Sequence, residues 1–161
     1  MKLSSVVGLA PLCLGLAAHA AEPRAVDPAV LAALQVDPAR ITVIDFFAEW
    51  CVACHKELPL ISAAHSRADK KRVDFVGIDT DDSTQVADAF QKSMRDKGAL
   101  SFRVVNDPQQ NLVKSFKPRG YPALYVLLDG KVVREHLGAT ANLDAVLDAD
   151  LTALGDRKSV V

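Results

Sequence analysis

Two cysteines three positions apart are the residues of this sequence best suited to chemistry. Cys51 and Cys54 flank Val52 and Ala53, and they follow an apolar run at the start of a segment with helical character. At the start of a helix, unpaired backbone N–H groups and the helix dipole stabilise a thiolate, which predicts that Cys51 is a nucleophile. Cys54, one helical turn further on, could then attack a mixed disulfide formed at Cys51. The pair therefore predicts thiol–disulfide exchange.

The same residues allow other interpretations. A purely structural disulfide would close a very short loop, which adds little chain-entropy stabilisation. Because His55 follows directly, the segment also matches the CxxCH signature of c-type haem attachment, with His55 as an iron ligand. This haem-binding electron carrier remains open as a function from another class. A zinc site is not expected, because a second well-spaced pair of ligands is lacking, and we predict no metal.

The pair must be held by a strand and a helix. The almost unbroken apolar run at 41–47 is typical of a strand covered on both faces, and the segment 51–68 is predicted to be the helix that follows. Further strands are expected at 73–79, 101–105, 123–128 and 131–137, and further helices at 27–35, from Asp82 or Ser83 to 97, at 108–116 and from Thr140 or Asn142 to 154. This order predicts an α/β fold with a sheet of parallel strands and one antiparallel hairpin at its end.

Length, composition and charge define the class of protein. The chain has 161 residues, of which 50% are hydrophobic, so one globular domain is expected and a disordered class is excluded. A formal net charge of -1 gives no reason to expect a nucleic-acid partner. No feature of the sequence indicates an obligate oligomer, and we expect a monomer.

The first twenty residues indicate export. Lys2 is followed by an apolar stretch, and Ala18-His19-Ala20 is a small-x-small site, which predicts a signal peptide at 1–20 that is cleaved after Ala20. An uncleaved membrane anchor is the alternative. The protein would then be periplasmic or otherwise exported, in a compartment where disulfides persist. The remaining chain is predicted to comprise an N-terminal segment at 21–40, a catalytic domain at 41–155 and a frayed tail at 156–161.

Four features in sequence order resemble the thioredoxin superfamily. The segment from Asp45 through Trp50 to Cys51 resembles the active-site strand and its W-C-x-x-C motif, and Pro59 stands where thioredoxins kink the following helix. Gly120-Tyr121-Pro122 resembles their cis-proline loop. The resemblance implies a thioredoxin fold with a mixed sheet of about five strands and helices on both faces. It covers about 41–155.

Within that superfamily the chain most resembles the TlpA/ResA-like exported reductases. The segment from His55 to Pro59 is similar to theirs, and the long interval from Asp79 to Pro122 holds an extra helix and strand, like their insertion. Three features differ. The dipeptide between the cysteines contains no proline, and Tyr121 before Pro122 is more similar to the residue in protein disulfide isomerases. The N-terminal hairpin usual in this group is not evident in residues 21–40.

The resemblance implies a role for each predicted catalytic residue. Cys51 would attack a substrate disulfide and Cys54 would resolve the mixed disulfide. Asp45, an acid in an apolar strand, would have a pKa raised by burial and would exchange a proton with Cys54. The substrate-binding residues would be Trp50, which covers the thiol, and the loop of Tyr121 and Pro122, whose peptide bond is predicted to be cis.

The resemblance also implies partners and a direction. The protein would be a protein-disulfide reductase that acts on exported protein thiols and disulfides, including the cysteines of apocytochromes. Its electrons would come from a membrane-bound thiol donor. It would need no cofactor beyond the redox-active Cys51–Cys54 pair. Within the same fold the alternative is a disulfide oxidase or isomerase, because one dithiol can run either way.

Overall fold

A computed structural model describes residues 23–158 of the chain. The predicted signal peptide at 1–20, with its cleavage site after Ala20, lies outside these residues. The strands are β1 (Arg24–Ala25), β2 (Ile41–Phe47), β3 (Val73–Asp79), β4 (Arg103–Asn106), β5 (Ala123–Leu128) and β6 (Lys131–Leu137). The helices are α1 (Pro28–Ala33), α2 (Val52–Arg67), α3 (Thr84–Asp96), α4 (Asn111–Phe116) and α5 (Leu143–Lys158).

The strands form one mixed sheet in the order β1-β6-β5-β2-β3-β4. β2, β3 and β4 run parallel, whereas β5 is antiparallel to β2, and β6 is antiparallel to β5. Phe47 at the end of β2 lies opposite Asp79 at the end of β3, and Phe46 lies opposite Ala123 at the start of β5. The register therefore brings the ends of β2 and β3 and the start of β5 to one edge of the sheet, next to the cysteine pair.

The sheet has six strands, one more than the five expected. The additional strand is β1, in which Arg24 pairs with Val132 on β6. Two residues are too short to show the alternating pattern from which a strand is predicted. β4 also begins two residues later than expected, because its pairing with β3 begins at Arg103, opposite Val76.

The last helix continues past the predicted end of the domain at Gly155 and reaches Lys158. A glycine near a helical C-terminus is usually taken as a stop signal. Here the Arg72 guanidinium donates a hydrogen bond to the Gly155 carbonyl oxygen over 2.9 Å, and a Cβ at Gly155 would lie 3.0 Å from Arg72 Nη2. Glycine at this position lets the Arg72 side chain approach the helix. The helix does not end at Gly155.

Both faces of the sheet are covered, as predicted for a buried central strand. All seven residues of β2 are buried. Apolar side chains of α2, α3 and α5 pack on one face, and those of α1 and α4 pack on the other. Successive β2 side chains point to opposite faces of the sheet and pack into the apolar core on each face. Phe47 therefore contacts Phe90 of α3, and Phe46 contacts Phe116 of α4. Among residues 23–158, none of the helices combines the length and apolar character needed to cross a membrane.

Candidate redox-active site

Cys51 and Cys54 form a disulfide at the junction of β2 and α2. Cys51 is the N-cap of α2, and its Sγ accepts a hydrogen bond from the Cys54 backbone N–H over 3.1 Å. The exposed fraction is 5% for Cys51 and 1% for Cys54. After reduction, the same N–H and the helix N-terminus would stabilise a thiolate at Cys51. The arrangement suits Cys51 as the attacking sulfur and the more deeply buried Cys54 as the resolving sulfur.

The loop that presents Cys51 is held by the end of β3. The Asp81 carboxylate accepts a hydrogen bond from the Glu49 backbone N–H over 2.8 Å, and the Asp81 N–H donates to the Asp79 carboxylate over 3.1 Å. Burial raises the pKa of Asp79 to about 6, although a hydrogen bond donated by the Gln91 side chain lowers this pKa in part. Asp79 and Asp81 were not predicted as site residues. The signal in the sequence is a run of aspartates directly after a buried strand that neighbours the active-site strand.

Asp45 is buried on β2, on the face that packs against α2. It is 2% exposed, and its neighbours across the sheet are Gly77 and Leu124, neither of which carries a charge. Among the described residues its Oδ1 has no hydrogen-bond partner. Burial raises the pKa of Asp45 well above its ordinary value, and the nearby Glu57 carboxyl raises it further. The Asp45 carboxyl is therefore protonated more readily than that of an ordinary aspartate.

Glu57 is a second buried acid of the site. It lies three residues after Cys54, which places both side chains on one face of α2, and it is 3% exposed. Burial raises the pKa of Glu57 to about 7, although a hydrogen bond from the Thr140 backbone N–H lowers it in part. No role for Glu57 was predicted from the sequence. An acid at helical spacing from the resolving cysteine is the signal that could have identified it.

The three residues predicted to bind substrate lie side by side at the sheet edge. Trp50 is 60% exposed, and its ring packs edge-on against the Tyr121 ring, with 5.2 Å between the ring centroids. The Tyr121–Pro122 peptide bond is cis, as predicted. The Pro122 carbonyl oxygen accepts a hydrogen bond from the Gly138 N–H over 2.9 Å, which ties the loop to the end of β6. The site therefore has an exposed aromatic rim next to the disulfide.

The surroundings of the CxxCH segment do not fit a haem. The His55 ring packs against Phe90, with 4.8 Å between centroids, and its Nε2 donates to the Glu49 carbonyl oxygen over 2.6 Å. Cys54 is buried in the apolar core beneath α2, where a porphyrin could not reach its sulfur. Within residues 23–158, no three His, Cys, Asp or Glu side chains come together in a way that would hold a metal ion.

Sequence comparison relates the chain to proteins of known family. The sequence model of the AhpC/TSA family matches residues 27–136, more than half of the chain. The thiol-disulfide oxidoreductase ResA of Bacillus thuringiensis (strain Al Hakam) is 26% identical over 96 residues, which cover 59% of this chain and 53% of ResA. The chain thus spans about half the length of the curated relatives it matches.

Structure comparison identifies the fold. A Chlorobium tepidum protein described as a thiol:disulfide interchange protein DsbE has a TM-score of 0.67 and 20% identity, covering 82% of this chain and 92% of its own. A secreted Mycobacterium tuberculosis disulfide oxidoreductase, homologous to E. coli DsbE, has a TM-score of 0.58 and 23% identity, covering 73% and 85%. At these identities the similarity establishes a shared fold, and that fold is the thioredoxin fold expected from the sequence.

Proposed function

The chain belongs to the AhpC/TSA family, and from that premise we propose that it is a thiol–disulfide oxidoreductase that reduces disulfides in exported proteins. The observation that carries the proposal is the Cys51–Cys54 disulfide, with Cys51 Sγ capping α2. Two further features support it: an exposed aromatic rim beside the pair and two buried carboxyls beneath it. The pair itself serves as the redox group, and no other cofactor is required.

The proposed reaction has two exchange steps. The Cys51 thiolate attacks one sulfur of a substrate disulfide, so that a Cys51–substrate disulfide forms, the substrate S–S bond breaks, and the released sulfur takes up a proton. The Cys54 thiolate then attacks Cys51 Sγ, which re-forms the protein disulfide and releases the second substrate thiol. The substrate gains two electrons, and the protein is left oxidised.

The second step requires that Cys54 lose its proton in a buried environment. Asp45 and Glu57 are the acids placed to accept it: Asp45 lies on β2 under α2, and Glu57 lies one helical turn beyond Cys54. Burial raises the pKa of both carboxyls, that of Glu57 to about 7, so each is protonated more readily than an ordinary acid and is suited to proton exchange with Cys54. Trp50 and the Tyr121–Pro122 loop hold the substrate backbone against Cys51.

Export and partners are also part of the proposal. We propose that the mature chain begins at Ala21 outside the cytosol, which agrees with a structural neighbour described as secreted. A membrane-bound dithiol would return two electrons to the Cys51–Cys54 disulfide after each turnover. Exported cysteine proteins are the proposed substrates, and the cysteine pairs of apocytochromes c are among those implied by the resemblance to ResA-like reductases.

A trapping experiment tests this function. The Cys54→Ser variant should accumulate a covalent mixed disulfide with a disulfide-containing test protein, because the resolving sulfur is absent. The Cys51→Ser variant is the matched control and should accumulate none, because Cys54 is 1% exposed. Non-reducing electrophoresis with mass spectrometry distinguishes the two. Equal trapping by both variants, or none by either, would contradict the proposed roles.

A further inference from the structure

The segment that leads into the substrate-binding loop carries only positive charge. Between Asp107 and Asp129 the chain contains Lys114, Lys117 and Arg119 and no acidic residue. This local excess occurs in a chain whose formal net charge is -1. Lys117 and Arg119 are both exposed, and Arg119 stands two residues before Tyr121.

The fold brings a further cation, Arg24, from a distant part of the chain. Arg24, on β1, places its guanidinium 5.9 Å from the centroid of the Phe116 ring and 5.8 Å from that of Tyr125. These ring contacts hold the arginine on the face of the sheet that α4 covers. We refer to Arg24, Lys117 and Arg119 as the cationic patch. The patch borders an open cavity of about 390 Å³, whose lining also includes Ser115, Phe116 and Glu135.

One acid, Glu135, lines the cavity, and it does not neutralise the patch. Its carboxylate lies 3.8 Å from the Arg119 guanidinium, and the Arg119 side chain is 75% exposed. An exposed ion pair at this distance holds its partners weakly. Three cations facing one carboxylate leave the cavity with a net positive charge.

The patch is continuous with the rim of the redox site. Glu135 lies opposite Tyr125 in the sheet. Tyr125 is two residues from Ala123 along β5, a distance of about 7 Å at the rise of an extended strand. Tyr121, whose ring contacts Trp50, follows Arg119 by two residues in the chain. On the opposite side of Cys51 the exposed charged residues include the acids Glu49 and Asp82. Glu49 lines a pocket there together with His55 and Lys97, so that side carries charges of both signs, whereas the patch side has three cations and one carboxylate.

We propose that the cationic patch selects substrates in which acidic residues lie within about four positions of the reactive cysteine. This inference rests on the proposed function and names its substrate class: an extended, acidic polypeptide segment. The segment crosses Tyr121 toward Arg119, and its carboxylates meet Lys117, Arg119 and Arg24. The same segment is less favoured on the side of Glu49 and Asp82, where like charges would meet, so the patch also orients the substrate.

Three peptides of equal length test the inference. Each contains one cysteine linked to thionitrobenzoate by a disulfide, flanked by aspartates, asparagines or lysines. Release of thionitrobenzoate from each peptide by the reduced protein gives a rate constant, which is divided by that for mercaptoethanol to remove intrinsic reactivity. We expect the aspartate peptide to react about tenfold faster than the asparagine peptide at low ionic strength. Near 1 M salt, where the Debye length is about 3 Å, the difference should vanish.

Charge-reversal variants identify the residues responsible. In the Lys117→Glu/Arg119→Glu variant the ratio of aspartate to asparagine rate constants should fall below one. Lys71→Glu is the matched control, because it reverses an exposed cation just before β3, at the end of that strand away from Cys51, and should keep the tenfold ratio. If the double reversal does not fold, Lys117→Gln/Arg119→Gln should bring the ratio close to one.

Two outcomes would overturn the inference, and they can be told apart. If the protein reacts with all three peptides at equal normalised rates, or if the patch variants keep the ratio, the patch does not select substrates, and the proposed function stands. If the protein reacts with none of the peptides, although mercaptoethanol does, the proposed function fails and the inference fails with it.

Discussion

The Asp81 carboxylate accepts a hydrogen bond from the Glu49 backbone N–H over 2.8 Å and thereby ties the end of β3 to the loop that presents Cys51. The two residues are 32 positions apart in the chain. Asp81 is 5% exposed, so water cannot readily replace it as the acceptor. Asp81 is thus a positioning residue that acts on Cys51 through the backbone of the loop.

Removal of the Asp81 acceptor should slow the reaction at Cys51. In Asp81→Ala the Glu49 N–H loses its hydrogen-bond partner, so the loop that presents Cys51 should shift slightly. Because a small displacement of the Cys51 sulfur slows its reaction, we expect the rate of attack on a substrate disulfide to fall about tenfold. Asp81→Asn should restore most of the rate, because its amide oxygen can accept the same hydrogen bond. Asp82→Ala, which alters the adjacent exposed acid, is the control. An Asn variant as slow as the Ala variant would argue against this positioning role.

The pH dependence of the resolving step should depend on Glu57. Burial raises the pKa of Glu57 to about 7, so the carboxylate that accepts the Cys54 proton forms as the pH rises through that value. Single-turnover measurements should show the rate of the second step increasing across this range. Glu57→Gln should remove the part of the increase that is centred near pH 7 and slow the step about tenfold, because Asp45 remains. Glu49→Gln, at an exposed glutamate, should retain it. An unchanged pH profile in Glu57→Gln would exclude this role.

The same buried acid should make stability depend on pH. The pKa of Glu57 is raised from 4.5 to about 7, so between these values the folded protein binds more protons than the unfolded chain. Stability therefore falls as the pH rises through this window. In the oxidised protein, Glu57→Gln should increase the free energy of unfolding by about 2 kcal/mol at pH 8 and leave it nearly unchanged at pH 4. Urea titrations at both values would show it, and an equal effect at both would contradict it.

The reduction potential of the Cys51–Cys54 pair should lie near the reducing end of the range known for thioredoxin-fold proteins. A strong oxidant has a dithiol form that is highly stabilised. Val52 and Ala53 provide no charge and no side-chain donor to a Cys51 thiolate, so the helix N-terminus and the Cys54 N–H remain its stabilising groups. We expect a potential nearer roughly −270 mV than roughly −120 mV, measured by equilibration with glutathione and Trp50 fluorescence. A value above about −160 mV would favour the oxidase function instead.

Local patterns in the sequence determined the elements that carry the cysteines. The bounds of β2, β3, β5 and β6 agree with the apolar runs and with the Asp129-Gly130 turn, because period and turn chemistry are properties of neighbouring residues. The start of α2 beside Cys51 follows from the same kind of signal. These elements, with the cis Tyr121–Pro122 bond, account for most of the fold and for the redox pair.

Only the tertiary structure decided which distant residues surround that pair. The hydrogen bond from Glu49 to Asp81, the charge interaction of Asp45 with Glu57 and the approach of Arg24 to the segment before Tyr121 all join separate elements. Each depends on sheet register and helix packing, which arise from the sum of many long-range contacts and leave no periodic signal in the sequence. The cysteines are therefore specified locally, whereas the groups proposed to exchange protons with them and to select their partners are specified by packing.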